Sequence, residues 1–216
     1  MKFLQNIKDG FTLAEVLITL VIVGVIASIT IPTLMNNTNK QEYVSRLKKT
    51  YSTLSHATNR IIAEQGNPKA SIGGWATSPE AVYNMYKKYL SKVKECGSSS
   101  SECFEKRYSR LNNTGLTIVS NYSLIMADGT KLSFSNSDFS DDCSKHGAGT
   151  NDVCQYIMVD INGSKEPNTV GRDTFHLALK ADGLFPAGCD YDGDCSLSSY
   201  GWGCACKVLR EGAINY

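Results

Sequence analysis

The sequence predicts an α+β protein in which a long N-terminal helix packs against a small antiparallel sheet. Three observations predict this class: an apolar run over residues 11–34, an amphipathic helical stripe that continues to residue 65, and short β-prone segments separated by turns after residue 115. A helix laid against such a sheet is an α+β arrangement. The length of 216 residues suits one compact domain with an appendage.

The composition is that of an ordinary folded protein. Hydrophobic residues make up 42% and charged residues 20%, so a packed core is feasible. The formal net charge is +1, and removal of residues 1–10, which contain two lysines and one aspartate, leaves 20 basic and 20 acidic side chains. A neutral chain gives no electrostatic reason to expect nucleic-acid binding.

The apolar run over residues 11–34 can span a membrane. It contains a single charged residue, Glu15. Roughly 20 helical residues, each rising about 1.5 Å, cross the hydrocarbon core of a bilayer. Lys2 and Lys8 precede the run, and such basic flanks remain on the cytoplasmic side. The remainder of the chain is therefore expected outside the cytoplasm.

The cysteines agree with this placement. Their number is even and all lie in the C-terminal two thirds of the chain, a pattern that predicts disulfides in an oxidising compartment. Zinc would need close-spaced cysteine pairs with histidines at fixed offsets, and no histidine lies near the single close pair. We expect Cys96 to bond Cys103, Cys143 to bond Cys154, and Cys204 and Cys206 to reach Cys189 and Cys195.

An ordinary cleaved signal peptide is the alternative interpretation of the N-terminus, with residues 27–30 as a loose imitation of its cleavage site. The position of Glu15 inside the apolar segment argues against it. A carboxylate within lipid costs about 2.5–3.5 kcal/mol on insertion scales, so this residue should have a partner. A plain transmembrane anchor with a chance glutamate would leave the carboxylate unexplained.

The segment over residues 10–18, GFTLAEVLI, resembles the class III signal of type IV prepilins and type II secretion pseudopilins. The likeness covers roughly residues 8–34 and includes Gly24 and Pro32. It implies that a membrane prepilin peptidase cleaves the chain between Gly10 and Phe11 and then N-methylates the new amine of Phe11.

The same resemblance gives Glu15 a partner. In a filament, its carboxylate would neutralise the Phe11 ammonium of the neighbouring subunit. An ion pair in an apolar filament core requires both charges, because either one alone stays buried and uncompensated. The pairing would therefore select the axial register between subunits.

Beyond the apolar run, the helical pattern continues to Gln65. Apolar residues fall on one helical stripe, which we expect to pack under the head: Val44, Leu47, Tyr51, Leu54 and Ile61. Pro32 should kink or locally open the helix, and Gly24 weakens the preceding turns. The expected segments are a leader peptide (1–10), a transmembrane or filament-core helix (11–34), an amphipathic helix (35–65) and a disulfide-bonded head (66–216).

The head begins with a linker over residues 66–79. Ser78 as N-cap and Pro79 at the first helical position predict a second helix that runs to about Lys94. A turn at residues 127–130 joins two strands of a predicted hairpin. The predicted strands are Leu116–Ser120, Ser123–Met126, Lys131–Phe134, Cys154–Ile161 and Phe175–Leu179.

Two acidic loops are candidates for calcium, which takes 6–8 oxygen ligands. Asp160, Asn162 and Asp173 could supply such oxygens; the alternative, which we favour, is a turn at Asn162 with Asp173 capping local amides or pairing with Arg172. In the second loop Asp190, Asp192 and Asp194 alternate, but the downstream bidentate glutamate of a calcium loop is missing. We therefore expect no cofactor, with calcium as a weak alternative.

Catalytic motifs are missing from the sequence, which contains no G-x-S-x-G, no H-E-x-x-H and no phosphate-binding glycine loop. His56, His146 and His176 are not placed beside a nucleophile, and we expect them at the surface or in ordinary packing. The protein is not expected to be an enzyme.

The resemblance implies a structural filament subunit of a type IV pilus or a type II secretion pseudopilus. Its expected partners are the prepilin peptidase, copies of itself, other pilins and an inner-membrane assembly platform. It would wait in the inner membrane as a single-pass protein with its head outside the cytoplasm, before it enters a pilus or periplasmic pseudopilus. The alternative functions are a membrane-tethered binding or adhesion domain that does not polymerise and, with less support, an enzyme on the same anchor.

Overall fold

The computed structural model describes residues 10–97, 102–105, 107–118, 122–190 and 195–216. Most of the expected leader, the end of the predicted strand at residues 119–120, and Asp192 and Asp194 of the second acidic loop lie outside these ranges. The chain divides into two compact units, one that ends at Asn39 and one that comprises Lys40–Tyr216.

The first helix, α1, spans Leu13–Gln65 and is helical without interruption through Gly24 and Pro32. It therefore contributes to both units. Its part beyond Lys40 carries the predicted stripe, in which Val44, Leu47, Leu54 and Ile61 are buried and Tyr51 packs against the core. The amphipathic second half of the helix is thus confirmed.

The described strands form one antiparallel sheet and a separate two-stranded pair. The strands are β1 (Lys92–Gly97), β2 (Tyr108–Ser109), β3 (Gly115–Leu116), β4 (Tyr122–Met126), β5 (Lys131–Phe139), β6 (Lys145–Gly147), β7 (Thr150–Asp160), β8 (Thr174–Lys180) and β9 (Gly183–Pro186). The sheet order is β1-β4-β5-β7-β8-β9, with β6 paired to β7, while β2 pairs β3. The α+β class is confirmed, as is the hairpin of β4 and β5.

The second helix, α2, spans Pro79–Tyr89 and starts as predicted, because the Ser78 hydroxyl accepts a hydrogen bond from the Ala81 amide at 3.1 Å. The predicted end at Lys94 is wrong. Leu90 adopts an extended conformation, and the chain from Lys92 pairs with β4 as an edge strand. The ladder hydrogen bonds of that pairing outweigh the helical spacing of the apolar residues, and Val93 consequently lies 74% exposed.

Two other elements differ from prediction. The strand expected from Leu116 is only two residues long, because β3 pairs the short β2 rather than the sheet. The third helix, α3, spans Cys204–Glu211 and was not predicted; it closes with Gly212 in the left-handed conformation, φ 66°. Its first and third residues are half-cystines, and their spacing was interpreted only as a disulfide signal.

The central strands of the sheet are buried on both faces. On the inner face, Leu132, Val159 and Phe175 are register partners across β5, β7 and β8, and they share a core with α1 and α2. On the outer face, the corresponding row is Ser133, Met158 and His176. Loops cover this outer row, where Met158 clusters with Phe104 and Tyr108. The sheet is therefore the middle layer of the head.

Four disulfides cross-link the head, and every cysteine takes part in one. The predicted Cys96–Cys103 and Cys143–Cys154 bonds are confirmed. Cys206 bonds Cys189 and Cys204 bonds Cys195, which agrees with the expected set of partners and fixes the pairing within it. Bonds of this kind stabilise a fold mainly by restricting the unfolded chain.

His176 lies on the outer face and is only 7% exposed. Its ring meets those of Trp202 and Tyr156 edge-on, with centroids 4.7 Å and 6.1 Å away. Nδ1 is buried and has no hydrogen-bond partner within the described residues. Because burial disfavours the charged imidazolium, the pKa of His176 falls to about 4 from its ordinary value of 6.5.

We predict that His176 makes the head acid-sensitive. Above pH 6.5 the histidine is neutral in both the folded and the unfolded chain. Between pH 6.5 and 4 only the unfolded chain takes up the proton, so the free energy of unfolding falls as the pH is lowered, by about 3 kcal/mol across this window at 1.36 kcal/mol per pKa unit. Thermal melts at pH 7.5 and 4.5 measure this loss.

The His176→Phe variant should lose less of its melting temperature on acidification than the wild type does. Asp138, Lys145 and His146 line the same cavity as His176 and are present in both proteins, so the comparison isolates the buried histidine. His56→Phe, at an exposed position of α1, is the matched control. Equal losses in wild type and His176→Phe would contradict the prediction.

Candidate functional site at the N-terminal helix

The start of α1 is fixed by reciprocal hydrogen bonds between Thr12 and Glu15. The Glu15 amide donates to Thr12 Oγ1 at 3.3 Å, while Glu15 Oε2 accepts from the Thr12 amide at 2.8 Å and from the Thr12 hydroxyl at 2.7 Å. This is a capping box, in which each residue satisfies an amide that the helix leaves unpaired. The T-x-x-E spacing is its sequence signature, and the sequence analysis did not use it.

The capping box gives Glu15 a partner within its own chain, which the sequence analysis had not anticipated. Thr12 supplies neutral donors, however, and these do not compensate the charge of the carboxylate. Both bonds go to Oε2; within the described residues, Oε1 accepts no hydrogen bond and no cation forms an ion pair with Glu15. The helix thus orients the carboxylate through Oε2. Within the described residues, Oε1 has no hydrogen bond and the negative charge has no ion-pair partner.

The helix that follows is apolar on all sides. Leu13–Ile31 is long and apolar enough to cross a membrane by length and composition, and none of that window is buried within the protein. Its hydroxyl groups bond back to the helix: Thr19 to the Val16 carbonyl at 2.9 Å and Ser28 to the Val25 carbonyl at 2.7 Å. Such internal bonds remove the cost of placing hydroxyls in an apolar medium. Glu15 is the one charged group of the segment.

The bond between Gly10 and Phe11 lies in exposed backbone that is neither helix nor strand, directly before the capping box. Phe11 is 89% exposed. A Cβ atom added to Gly10 would meet nothing within 4 Å, and the residue is not among those with a positive φ. The described residues therefore give no packing or backbone reason for glycine at this position. Accessible, non-regular backbone is where proteases cut most readily.

Gly24 and Pro32 are the two further residues of this helix that the sequence marks as points of weakness. A Cβ atom added to Gly24 would meet no atom of the described residues within 4 Å, so no packing contact among them requires glycine there. The helix passes through Pro32. The expected kink at Pro32 remains a prediction.

The structure brings Asp160, Asn162 and Asp173 together in the head. Asp173 accepts hydrogen bonds from the amides of Asn168 at 2.7 Å and Thr169 at 2.6 Å, and from the Asn162 side chain at 3.0 Å. These contacts are those of the alternative in which Asp173 caps local amides.

Asp160 is satisfied in the same way. Oδ1 accepts from the amides of Asn162 and Gly163, and Oδ2 accepts from the Tyr108 hydroxyl at 2.5 Å. All four carboxylate oxygens of Asp160 and Asp173 therefore already have donors from the protein. Within the described residues, no group of three or more histidine, cysteine, aspartate or glutamate side chains could hold a metal ion. Calcium at Asp160, Asn162 and Asp173 remains the untested alternative to this capping arrangement.

Comparison with known proteins identifies the N-terminal segment alone. A family model of the prokaryotic N-terminal methylation motif matches residues 6–31. No curated protein and no solved structure gives a significant match. The matched residues contain Gly10, Phe11, the capping box and the apolar window, so the motif and the local geometry coincide.

We predict that calcium does not raise the melting temperature of the protein, because an ion at Asp160 and Asp173 would have to displace donors that are already in place. Thermal melts with calcium chloride and with EGTA measure this. A rise with calcium that EGTA reverses, and that Asp173→Asn abolishes, would instead establish the site.

Proposed function

We propose that this chain, whose N-terminus is that of a type IV pilin-like prepilin with a class III signal, is a structural subunit of a type IV pilus or a type II secretion pseudopilus. It is processed after Gly10 and polymerises through α1. The motif indicates a structural protein rather than an enzyme, and it implies processing by a peptidase and assembly into pilin filaments.

The observation that carries the proposal is an exposed apolar helix that starts with one uncompensated carboxylate. Large side chains from Phe11 to Leu34 are exposed all around the helix. In water such a surface is unfavourable by about 25 cal/mol for each Å². A lipid bilayer or a bundle of like helices removes this surface from water, and a filament subunit occupies first the one and then the other.

Cleavage after Gly10 supplies the missing cation. It converts the amide nitrogen of Phe11 into an ammonium group at the start of the helix. Glu15 presents Oε1 without a hydrogen bond from the described residues, while Thr12 holds Oε2. An ammonium from the adjacent subunit that binds Oε1 would compensate both charges at once and leave the capping box intact.

The finer assignments follow from the same premise. The prepilin motif with its apolar helix fits a membrane-anchored protein whose head faces away from the cytoplasm, and four disulfides agree with an oxidising compartment. We place the chain in the inner membrane before assembly, with the prepilin peptidase, an assembly platform, other pilins and further copies of itself as partners.

We predict that incorporation into filaments depends on the charge of Glu15 and not on the helix cap that Thr12 supplies. Glu15→Gln keeps a capping box, because glutamine also serves at this position, but it removes the charge. Insertion and cleavage should be unchanged, while incorporation into filaments should fall at least tenfold. Thr12→Ala removes the cap, at a cost of about 1 kcal/mol of helix stability, and keeps the carboxylate. Its incorporation should remain near that of the wild type.

The measurement compares the amount of each variant in sheared or pelleted filaments with the amount left in the membrane. Cleavage is scored on the same samples by mass. Normal incorporation of Glu15→Gln would refute the charge pairing. Full processing with no filament incorporation of the wild type, in the presence of its assembly machinery, would instead favour the tethered binding domain.

A further inference from the structure

The turn that follows β7 contains the one Asn-Gly pair of the sequence, Asn162 and Gly163. In such a pair the glycine nitrogen lies close to the side-chain carbonyl carbon of the asparagine and can close a cyclic imide on it. Gly163 has no Cβ to hinder this attack. The fold itself calls for glycine at this position, because its φ is 71° and a Cβ atom would lie 2.9 Å from the Gly129 carbonyl oxygen.

The nitrogen that would attack faces a carboxylate. The Gly163 amide donates a hydrogen bond to Asp160 Oδ1 at 3.0 Å, which is within the reach of about 2.6–3.2 Å that a general base requires. Oδ2 of the same residue is held by the Tyr108 hydroxyl at 2.5 Å. Because Asp160 is wholly buried, its carboxylate keeps this position against Gly163. It is therefore placed to accept the proton of the attacking amide.

The amide nitrogen that would leave is held as well. Nδ2 of Asn162 donates to Asp173 Oδ2 at 3.0 Å and to the Glu166 carbonyl at 3.4 Å. Oδ1 of the same side chain is buried and has no hydrogen-bond partner within the described residues. The side-chain amide is thus fixed through its nitrogen. One carboxylate lies at the attacking nitrogen and a second lies at the departing one.

We propose that Asn162 is a self-modifying residue, which the folded head converts through an imide with Gly163 into aspartate and isoaspartate. Asp160 accepts the proton of the Gly163 nitrogen while this nitrogen bonds to Asn162 Cγ. The bond from Cγ to Nδ2 breaks, and Nδ2 leaves as ammonia with the proton that Asp160 had accepted. One water molecule then opens the imide and leaves a carboxylate at residue 162. Residue 162 is only half-buried, so water reaches it, and no other reactant is consumed.

The modified turn lies against the part of α1 that belongs to the head. The Tyr43 hydroxyl donates to the Glu166 carbonyl at 3.4 Å, and Arg46 donates to the Ile161 carbonyl at 3.3 Å. The product adds a third carboxylate beside the two that are already there, and like charges at such short range repel. The reaction therefore changes the loop on which α1 rests. It requires neither cleavage of the leader nor polymerisation, so the proposal stands apart from the proposed function.

The test follows newly synthesised full chain in lipid nanodiscs during incubation near neutral pH. Peptide mapping by mass spectrometry measures the replacement of the amide by a carboxyl group at residue 162, and enzymatic methylation labels isoaspartate. A synthetic peptide of residues 156–168 contains the same Asn-Gly pair without the fold. We expect the folded protein to convert at least about tenfold faster than the peptide, because only the fold supplies the base. Asp160→Asn should lower the rate to that of the peptide, and Asp173→Asn should lower it in part.

Asp152→Asn makes the same exchange at an exposed position and is the matched control. It should convert residue 162 at the wild-type rate. Near-ultraviolet circular dichroism shows whether each variant keeps the fold, and the comparison of wild type with peptide holds even if a variant does not. The proposal is overturned if the folded protein converts more slowly than the peptide or if Asp160→Asn converts faster than the wild type, because the turn would then protect Asn162. Equal rates in Asp160→Asn and Asp152→Asn would also overturn it.

Discussion

One negative charge at the start of an apolar helix determines which surroundings the N-terminal segment of this protein can occupy. The backbone of Leu13–Ile31 is hydrogen-bonded within the helix, and hydroxyls such as those of Thr19 and Ser28 bond back to carbonyls one turn earlier. The segment can therefore enter lipid or a helical bundle at little polar cost, with Glu15 as the exception. The capping box orients this carboxylate and uses one of its oxygens, but it cannot cancel the charge.

The outer face of the head lies across the sheet from α1 and is covered by other elements. The sheet is covered on both faces, by α1 and α2 on one side and by cross-linked loops on the other, and each loop layer is held by disulfides. Bonds of this kind persist only in an oxidising compartment. The same topology therefore gives the head a stable inner face for packing and a rigid outer face with a cavity, two surfaces that can serve different tasks.

The elements predicted well from sequence are those whose signal is local. The stripe from Val44 to Ile61, the Ser78 cap and the turn before β5 depend on residues close in the chain. The cysteine partners could be predicted because the spacing of the cysteines allows only a few disulfides that close short loops. The end of α2 was missed because pairing with β4, thirty residues later, decides the fate of Lys92 and Val93. The cavity was beyond sequence reasoning, since β5, β7, β8 and the Trp202 loop meet only in the folded head. The capping box could have been predicted from the T-x-x-E spacing of Thr12 and Glu15.

The central claim is that the Phe11 nitrogen becomes a free amine that faces a neighbour's carboxylate, and the N-terminus of the mature protein tests it most directly. Mass spectrometry of the protein isolated from the membrane of a cell that carries the processing enzyme determines this terminus. The account predicts a chain that begins with N-methylated Phe11. A chain that keeps residues 1–10, or one that begins after Ala27 or Ser28, would contradict it, because Glu15 would then have no such amine to meet.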